Sequence, residues 1–580
     1  MREPRVLVAN RGEIAVRVFR TCREMGIQTV AVYSDADREA LFVEMADDAF
    51  HIGPASPVES YLNVGRILEA AAKSRATMIH PGYGFLAENS DFARRVADAG
   101  LVFVGPPPSA MLLMGDKAAA RRTADSVEAP TIPGTRDPIT ADGAAEEAER
   151  VGFPMVVKAA FGGGGKGMHL VRTPDELGSA VERSSREAAA YFGRPEVYLE
   201  RYITRAHHVE AQILADTHGH ISFLGERDCS LQRRYQKLVE ESPSPVVDDE
   251  LRARIGEAAI AIARAAGYVN AGTVEFLVDE DGDFYFIEMN ARLQVEHPVT
   301  EMVAGLDLVR LQILVAAGER VELQPELRGH SIECRINAED PFREFLPGPG
   351  FISTYQAPGG PFVRLDSGVT EGRRVVGDYD SLVAKLISWG EDRETARRRM
   401  LRALDEFHIE GIPTTMPFHS WVLGTEAFVN GRVHTKWVEE ALAEGGLKTL
   451  VGVSADGAAP SSPAGAHPRP VRLVVEVDGH RIPVTVLGDH VRKPPTPPSA
   501  SAQSHAAGDA GEVVAAPMQG TILQVLVQPG QKITGGQTVC ILEAMKMENH
   551  IAVTKDSTVA EVRVAKGDVV EAGQPLAVME

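Results

Sequence analysis

Over residues 1–115, apolar and polar positions switch between two periods. Short apolar runs at Val6 to Ala9, Thr29 to Tyr33, Thr77 to His80 and Val102 to Val104 read as strands, and Ile14 to Met25 carries the spacing of a helix. This rhythm predicts a βαβ layer. Further along, Thr273-Val274-Glu275-Phe276-Leu277 and Phe284-Tyr285-Phe286-Ile287-Glu288-Met289-Asn290 alternate in twos around the turn Asp281-Gly282-Asp283, so a hairpin brings Glu275 near Glu288. The C-terminal region repeats itself. Thr521 to Glu543 and Thr558 to Glu580 match at Thr521/Thr558, Val525/Val562, Val527/Val564, Gly530/Gly567, Gly536/Gly573, Gln537/Gln574 and Glu543/Glu580. Each copy reads strand-turn-strand, with turns at Pro529-Gly530 and Gly535-Gly536 in the first, which predicts a small pseudo-symmetric β-sandwich. Lys546, in Ala544-Met545-Lys546-Met547, falls in the connection between the copies, where a tight hairpin holds its amine away from the core.

Between these regions the pattern lapses. Pro494 to about Gly511 reads PPTPPSASAQSHAAGDAG, with no large apolar residue to offset the entropy of ordering, and is expected to act as a tether. Such a stretch extends to about 60 Å at ~3.3 Å per residue.

A chain of 580 residues holds several domains. With 60 Lys and Arg against 81 Asp and Glu, its net charge of -21 argues against a general nucleic-acid or anionic-membrane binder. Cys22, Cys229, Cys334 and Cys540 are widely separated and form no CxxC, so neither a disulfide framework nor a zinc site is indicated. Met1-Arg2-Glu3-Pro4 leads straight into a short strand, and no run of about 20 apolar residues occurs, so a cytoplasmic location is expected.

Candidate chemistry gathers in the middle of the chain. Phe161-Gly162-Gly163-Gly164-Gly165-Lys166-Gly167 follows the strand Val156-Val157-Lys158; its bare backbone NH groups suit either a cradle over a polyphosphate or a flexible hairpin loop, and it is no GxxxxGK[ST] motif. Lys158 and Lys117 add positive charge, an arrangement that resembles an ATP-grasp fold. Carboxylates inside apolar strands are costly without a neutralising cation, which makes Glu275 and Glu288 candidate Mg²⁺ ligands or members of an ion pair with Arg292.

Asn10-Arg11-Gly12-Glu13-Ile14-Ala15, the segment His80-Pro81-Gly82-Tyr83-Gly84-Phe85-Leu86-Ala87-Glu88-Asn89, and above all Glu288-Met289-Asn290-Ala291-Arg292-Leu293-Gln294-Val295-Glu296-His297-Pro298 strongly resemble the biotin carboxylases over residues 1–447. The resemblance implies that Glu275, Glu288 and Asn290 hold Mg²⁺ (or Mn²⁺) with ATP, and that Lys237, Arg292, Gln294 and Val295 bind bicarbonate. It makes Glu296 the base that deprotonates bicarbonate and Arg335 the residue that steadies the biotin enolate. The same resemblance assigns nucleotide contacts to Lys117, Lys158, Gly163, Gly164, Gly165, Lys166, Gly167, Glu200, Arg201, Tyr202, Ile203, His208 and Gln232. Read without the family, Arg335 is a salt-bridge partner of Glu333 or Glu339, His208 is a surface histidine and Cys229 is a packing residue. Tyr235 stands where many family members have histidine near the nucleotide.

The C-terminal repeat resembles the biotinyl/lipoyl domains, and the methionines flanking Lys546 are of the biotin type; the upstream pair Pro517-Met518 is present as well. Biotin is therefore expected on Lys546. The whole plan resembles the α subunit of bacterial acetyl- or propionyl-CoA carboxylases, which implies that biotin protein ligase loads the chain and that its carboxybiotin serves a separate carboxyltransferase β subunit acting on an acyl-CoA in a hetero-oligomer. The expected fold is α/β, a biotin carboxylase with its ATP-grasp domain, followed by an all-β biotinyl/lipoyl-like sandwich. The expected division is 1–115 N-terminal α/β, 116–327 ATP-grasp, 328–447 C-terminal carboxylase domain, 448–490 a β-containing docking segment with a hairpin around Asp478-Gly479, 491–512 linker and 513–580 carrier.

Overall fold

The computed structural model describes residues 4–135, 139, 143–159, 169–192, 196–447, 471–477, 480–486, 513–516, 520–544, 547–553, 555–570 and 574–580. The run 160–168, the tether 494–511, the pair Pro517-Met518 and Lys546 lie outside the described residues. The chain forms two compact units, Met1–Leu447 and Lys448–Glu580.

In the first unit, β1 (Arg5–Val8), β2 (Gln28–Ser34), β3 (Asp48–Gly53), β4 (Met78–His80) and β5 (Val102–Phe103) make a parallel sheet in the order β3-β2-β1-β4-β5. Val6, Leu7 and Val8 are fully buried, as expected for a parallel strand covered on both faces. The helix Gly12–Glu24 covers one face with Ile14, Ala15, Val18 and Phe19. At the carboxyl ends of β1 and β4, Asn10 Nδ2 donates to the Pro81 carbonyl at 2.8 Å and the Tyr83 carbonyl at 2.7 Å, joining two of the segments singled out in the sequence.

β6 (Met155–Ala159), β7 (His169–Val171) and β8 (Val197–Arg201) form a small antiparallel sheet in the order β7-β6-β8. Its apolar face packs on the helices Ala144–Val151 and Pro174–Phe192 through Ala148, Val157, Val181 and Leu199.

The largest sheet has eight strands. β9 (His207–Ala215), β10 (Ile221–Arg233), β11 (Gln236–Ser242), β12 (Asn270–Val278), β13 (Phe284–Asn290), β14 (His330–Asn337), β15 (Val363–Ser367) and β16 (Leu382–Gly390) run in the order β13-β12-β9-β10-β11-β14-β16-β15. Period-two alternation splits its middle strands cleanly. Val209, Ala211 and Ile213 of β9 and Val274, Phe276 and Val278 of β12 pack on the helix Asp249–Ala265. His208, Glu210 and Gln212, with Thr273 and Glu275, take the opposite face. That face carries the candidate site.

In the second unit, Val471–Val477 pairs antiparallel with His480–Val486, the expected hairpin, with Asp478-Gly479 outside the described residues. The repeat also folds as a repeat. Gly520–Val525, Lys532–Ile533 and Thr538–Ala544 recur at a constant offset as Ser557–Val562, Val569–Val570 and Pro575–Met579. Each copy lends its short middle strand to the other copy's sheet: Lys532–Ile533 pairs with Ser557–Val562, and Val569–Val570 with Gly520–Val525. Val527, Ile533, Val539, Val559, Ala577 and Met579 form the core between them. Among the described residues no helix is long and apolar enough to cross a membrane.

Candidate active site

The charged face of the large sheet is organised around Lys237 on β11. Its Nζ donates to Glu296 Oε1 at 2.7 Å, to Glu275 Oε1 at 3.2 Å and to Glu210. Behind it lies Arg227, fully buried on β10. Its guanidinium reaches Glu210 Oε2 at 3.0 Å, Gln212 Oε1 at 2.7 Å, Thr273 Oγ1 at 3.0 Å, Thr300 Oγ1 at 3.0 Å and Gln294 Oε1 at 2.6 Å. A lone buried carboxylate would protonate rather than stay charged. Here burial raises the Glu296 carboxyl, but Lys237, Arg335 and Arg227 outweigh it and hold it well below the usual carboxylate range. Glu275 is likewise held well below, by Lys237 and His208 against the effect of burial. Burial lowers Lys237, and its three carboxylate partners reverse this and keep it a firm cation. Burial, with Glu296 and Glu275 adding to it, pushes the Glu210 carboxyl up against Lys237 and Arg227.

The segment between β13 and the helix His297–Ala304 supplies the other side. Asn290 Nδ2 and Gln294 Nε2 each donate to Glu275 Oε1 at 2.7 Å, and His208 Nε2 lies 2.9 Å from Glu275 Oε2. Arg292 pairs with Glu88, Nε to Oε2 at 3.1 Å, and its Nη2 donates to Asn290 Oδ1 at 2.9 Å. Its carboxylate is therefore not Glu288, which lies 3.7 Å from Lys117 Nζ. The Val295 carbonyl accepts from the buried Lys385 Nζ at 2.8 Å. Arg335 on β14 bonds neither Glu333 nor Glu339: Nη2 donates to Glu296 Oε2 at 2.8 Å and Nε to Glu240 Oε1 at 2.5 Å. Glu339 accepts instead from Ser381 at 2.5 Å.

The residues expected at the nucleotide stand at one side. Lys158 on β6 pairs with Glu200 on β8, and Arg121 reaches the same carboxylate at 3.4 Å. Arg201 ends β8, Tyr202 and Ile203 follow it, and Gln232 is buried near the end of β10. His208, far from being a surface residue, is buried on β9. Arg234 and Tyr235 make the β10–β11 turn with φ of 49° and 65°. The exposed Tyr235 ring lies under Lys436, 4.6 Å from Nζ to its centroid.

The residues present fit Mg²⁺. Glu275 and Glu288 are direct cross-strand partners, Asn290 pairs with Thr273 on the same hairpin, and oxygen donors of this kind suit a hard cation. Cys229 lies beside Glu210 and Glu296. Burial, then Glu210, pushes its thiol well up, so it is no thiolate and packs as expected.

Sequence reasoning missed Glu88, Glu210, Arg227, Glu240 and Lys385. Glu210 left a trace in the alternation His208-Val209-Glu210-Ala211-Gln212, which marks a strand with one charged face. Arg227, Glu240 and Lys385 become meaningful only once β10, β11, β14 and β16 are aligned, and Glu88 only once the loop after β4 meets Arg292.

Four family models match the chain: "Biotin carboxylase, N-terminal domain" over residues 3–111, "Carbamoyl-phosphate synthase L chain, ATP binding domain" over 116–324, "Biotin carboxylase C-terminal domain" over 333–440 and "Biotin-requiring enzyme" over 508–579. The chain is 47% identical to the biotin-dependent acyl-coenzyme A carboxylase alpha3 subunit of Mycobacterium leprae, covering 99% of this chain and 98% of that protein. It is 38% identical to the propionyl-CoA carboxylase alpha chain of Ruegeria pomeroyi, over 97% and 98% of the two. Among solved structures, the first unit resembles a biotin carboxylase–β-γ-ATP complex from Campylobacter jejuni, with 45% identity and a TM-score of 0.71 over 75% of this chain and 98% of that one. It also resembles the biotin carboxylase domain of Hydrogenobacter thermophilus 2-oxoglutarate carboxylase in complex with MgADP, ADP and bicarbonate, with 45% identity and a TM-score of 0.70 over 76% and 97%.

Proposed function

Because the chain belongs to the biotin-dependent carboxylase α subunits, which unite a biotin carboxylase with a biotin carboxyl carrier domain, we propose that it uses ATP and bicarbonate to carboxylate biotin held on its own Lys546. Biotin, ATP and Mg²⁺ are the cofactors of such an enzyme. Bound biotin supplies a ureido nitrogen that accepts the carboxyl group.

The residues divide the work. Lys237, Arg292 and the backbone around Gln294 and Val295 hold bicarbonate, since a small anion approaching ATP needs cations to offset the repulsion of the phosphates. Arginine offers it a planar fork. Glu275, Glu288 and Asn290 hold Mg²⁺ against the phosphates, with Lys117, Lys158, Glu200 and His208 on the nucleotide side. Glu296 takes the bicarbonate proton, and the resulting carbonate oxygen attacks the γ-phosphorus of ATP as ADP leaves, giving carboxyphosphate; its C–O bond to phosphorus would then break, the carboxyl carbon passing to the ureido nitrogen and the departing phosphate taking that nitrogen's proton. A carboxylate gripped by two cations is a poor base. Bicarbonate drawing Lys237 towards itself relaxes that grip and raises Glu296 at the moment its basicity is needed. Arg335, on the other oxygen of Glu296, would hold the ureido oxygen of biotin and stabilise negative charge there.

The observation that carries this reading is Glu296 shared between Lys237 at 2.7 Å and Arg335 at 2.8 Å, one carboxylate between the bicarbonate and biotin sides. Release of ADP dependent on bicarbonate and free biotin, compared between wild type and Glu296→Ala, tests it. Equal rates would defeat the assignment.

The relatives named as acyl-CoA carboxylase α subunits support a further step. A separate carboxyltransferase β subunit receives the carboxyl group and passes it to an acyl-CoA such as acetyl- or propionyl-CoA, in a cytoplasmic hetero-oligomer whose Lys546 is loaded by biotin protein ligase. In the proposed division, residues 1–115, 116–327 and 328–447 form the carboxylase, 491–512 the tether and 513–580 the carrier. The hairpin Val471–Val477/His480–Val486, within 448–490, is the docking element for β. Deleting 448–490 should abolish copurification of the partner; retention would sink the docking role.

A further inference from the structure

Arg335 has two carboxylate partners, and only one of them belongs to the reaction. Glu240, on β11, accepts from Arg335 Nε at 2.5 Å, while Glu296 accepts from Nη2 at 2.8 Å. Glu240 is completely buried, and its second oxygen has no hydrogen-bond partner. Directly across the β11–β14 ladder stands Glu333, also completely buried, with neither oxygen partnered. Arg335 lies two residues further along the same strand and so on the same face.

Burying this pair is expensive. Burial pushes the Glu333 carboxyl well up, with Lys385 opposing and Glu240 reinforcing. Burial pushes the Glu240 carboxyl up to about 7, with Arg335 opposing and Glu296 reinforcing, so loss of the Glu296 charge favours its ionised form. What Glu240 adds is geometry. A guanidinium bonded on its Nε and Nη2 edges by two separate carboxylates has its plane fixed, whereas one partner leaves it free to pivot. The proposed reaction also removes the Glu296 charge once per cycle, when that residue takes the bicarbonate proton. At that point Glu240 is the counter-ion that keeps Arg335 aimed.

We propose that Glu240 is the positioning residue for Arg335, anchoring its guanidinium towards biotin through the part of the cycle in which Glu296 is protonated. The inference rests on the reading of Arg335 as the biotin-facing cation. Glu240→Gln keeps the size of the side chain and an acceptor oxygen but removes the charge.

In the full-length chain, kcat/KM for free biotin in Glu240→Gln should fall by about tenfold. The fall should be larger than that in bicarbonate-dependent ADP release measured without biotin, a split that a merely structural role would not produce. The decisive comparison is a cycle with Arg335→Ala. If Glu240 acts through Arg335, adding Glu240→Gln to Arg335→Ala changes free-biotin carboxylation by less than about twofold. An equal cost in both backgrounds overturns the proposal. Wild-type biotin carboxylation by Arg335→Ala overturns the reading of Arg335 and the proposal with it. Should Glu240→Gln fail to fold by circular dichroism, Glu240→Asp keeps the charge one methylene short. It should retain the Arg335-dependent activity in part, and loss as complete as in Arg335→Ala in a folded protein would refute the proposal.

Discussion

Glu275 and Glu288 stand directly opposite one another on β12 and β13, and a one-residue bulge at Ile287 is what brings them face to face. Counting in twos from Phe284 and Phe286, which pack in the core with Phe276, would send Glu288 into that core; the bulge turns it to the charged side. The two carboxylates then live differently, Glu275 at 5% exposure among His208, Asn290, Gln294 and Lys237, Glu288 with a side chain 39% exposed and 3.7 Å from Lys117. Glu275→Gln should therefore lower stability by about 3 kcal/mol, because it strands buried cations. Glu288→Gln should cost less than about 0.5 kcal/mol. Both should raise the Mg²⁺ concentration needed for ADP release by about tenfold. Urea unfolding separates the pair, and a Mg²⁺ titration of activity unites it; equal stability costs would contradict the burial difference.

Arg227 touches five side chains, Glu210, Gln212, Thr273, Thr300 and Gln294, and is itself completely shielded from solvent. A lysine keeps the charge but cannot supply the fork. Arg227→Lys should lose about 3 kcal/mol of stability and release Gln294, which bridges Arg227 and Glu275. Urea unfolding and the KM for bicarbonate measure the two effects. A stable variant with an unchanged KM would show that Arg227 is dispensable to this side of the site.

Much of this was legible in the chain, and the part that was not has a physical reason. The parallel sheet, the Glu275/Glu288 hairpin and the repeat announce themselves because period-two alternation and turn residues are local signals. The partners of Arg292 and Arg335 are not local. Glu88 comes from the loop after β4, and Glu240 meets Arg335 only through the β11–β14 register. The bulge at Ile287 is equally silent, since Phe284 to Asn290 contains neither Gly nor Pro. The pairing of short strands across the two halves of the carrier repeat is set by the fold of both copies together and is invisible in either alone.

His80 makes the loop after β4 sensitive to acid. Its Nδ1 accepts from the Gly82 NH at 3.0 Å, so Nε2 carries the proton and donates to Gln312 Oε1 at 3.1 Å, and the ring is neutral. Burial lowers its pKa from 6.5 to about 4. A histidine whose folded pKa is depressed adds stability that is whole above pH 6.5 and is lost as pH falls towards 4, up to about 3 kcal/mol. The stability advantage of wild type over His80→Gln should therefore shrink by about 2 to 3 kcal/mol between pH 7 and pH 4.5. Urea unfolding at the two pH values measures it, and a constant difference would mean that His80 is not held neutral by the fold.

In the carrier, Ala544 and Met547 are the last paired residues of neighbouring antiparallel strands, and the two residues joining them are Met545 and Lys546. In sequence, the proposed attachment point thus falls between these two paired strands. The proposed enzyme then has separable parts: a catalyst within residues 1–447 and a tethered substrate whose local concentration the chain itself sets. Lys546→Arg keeps the charge but cannot be acylated by the ligase. It should abolish acyl-CoA carboxylation with the partner subunit while leaving carboxylation of free biotin within about twofold of wild type. Avidin blotting confirms the loss of biotin, and labelled bicarbonate follows both reactions. Loss of both activities in a folded variant would refute the division, because Lys237 and Arg335 both bond Glu296 within residues 1–447.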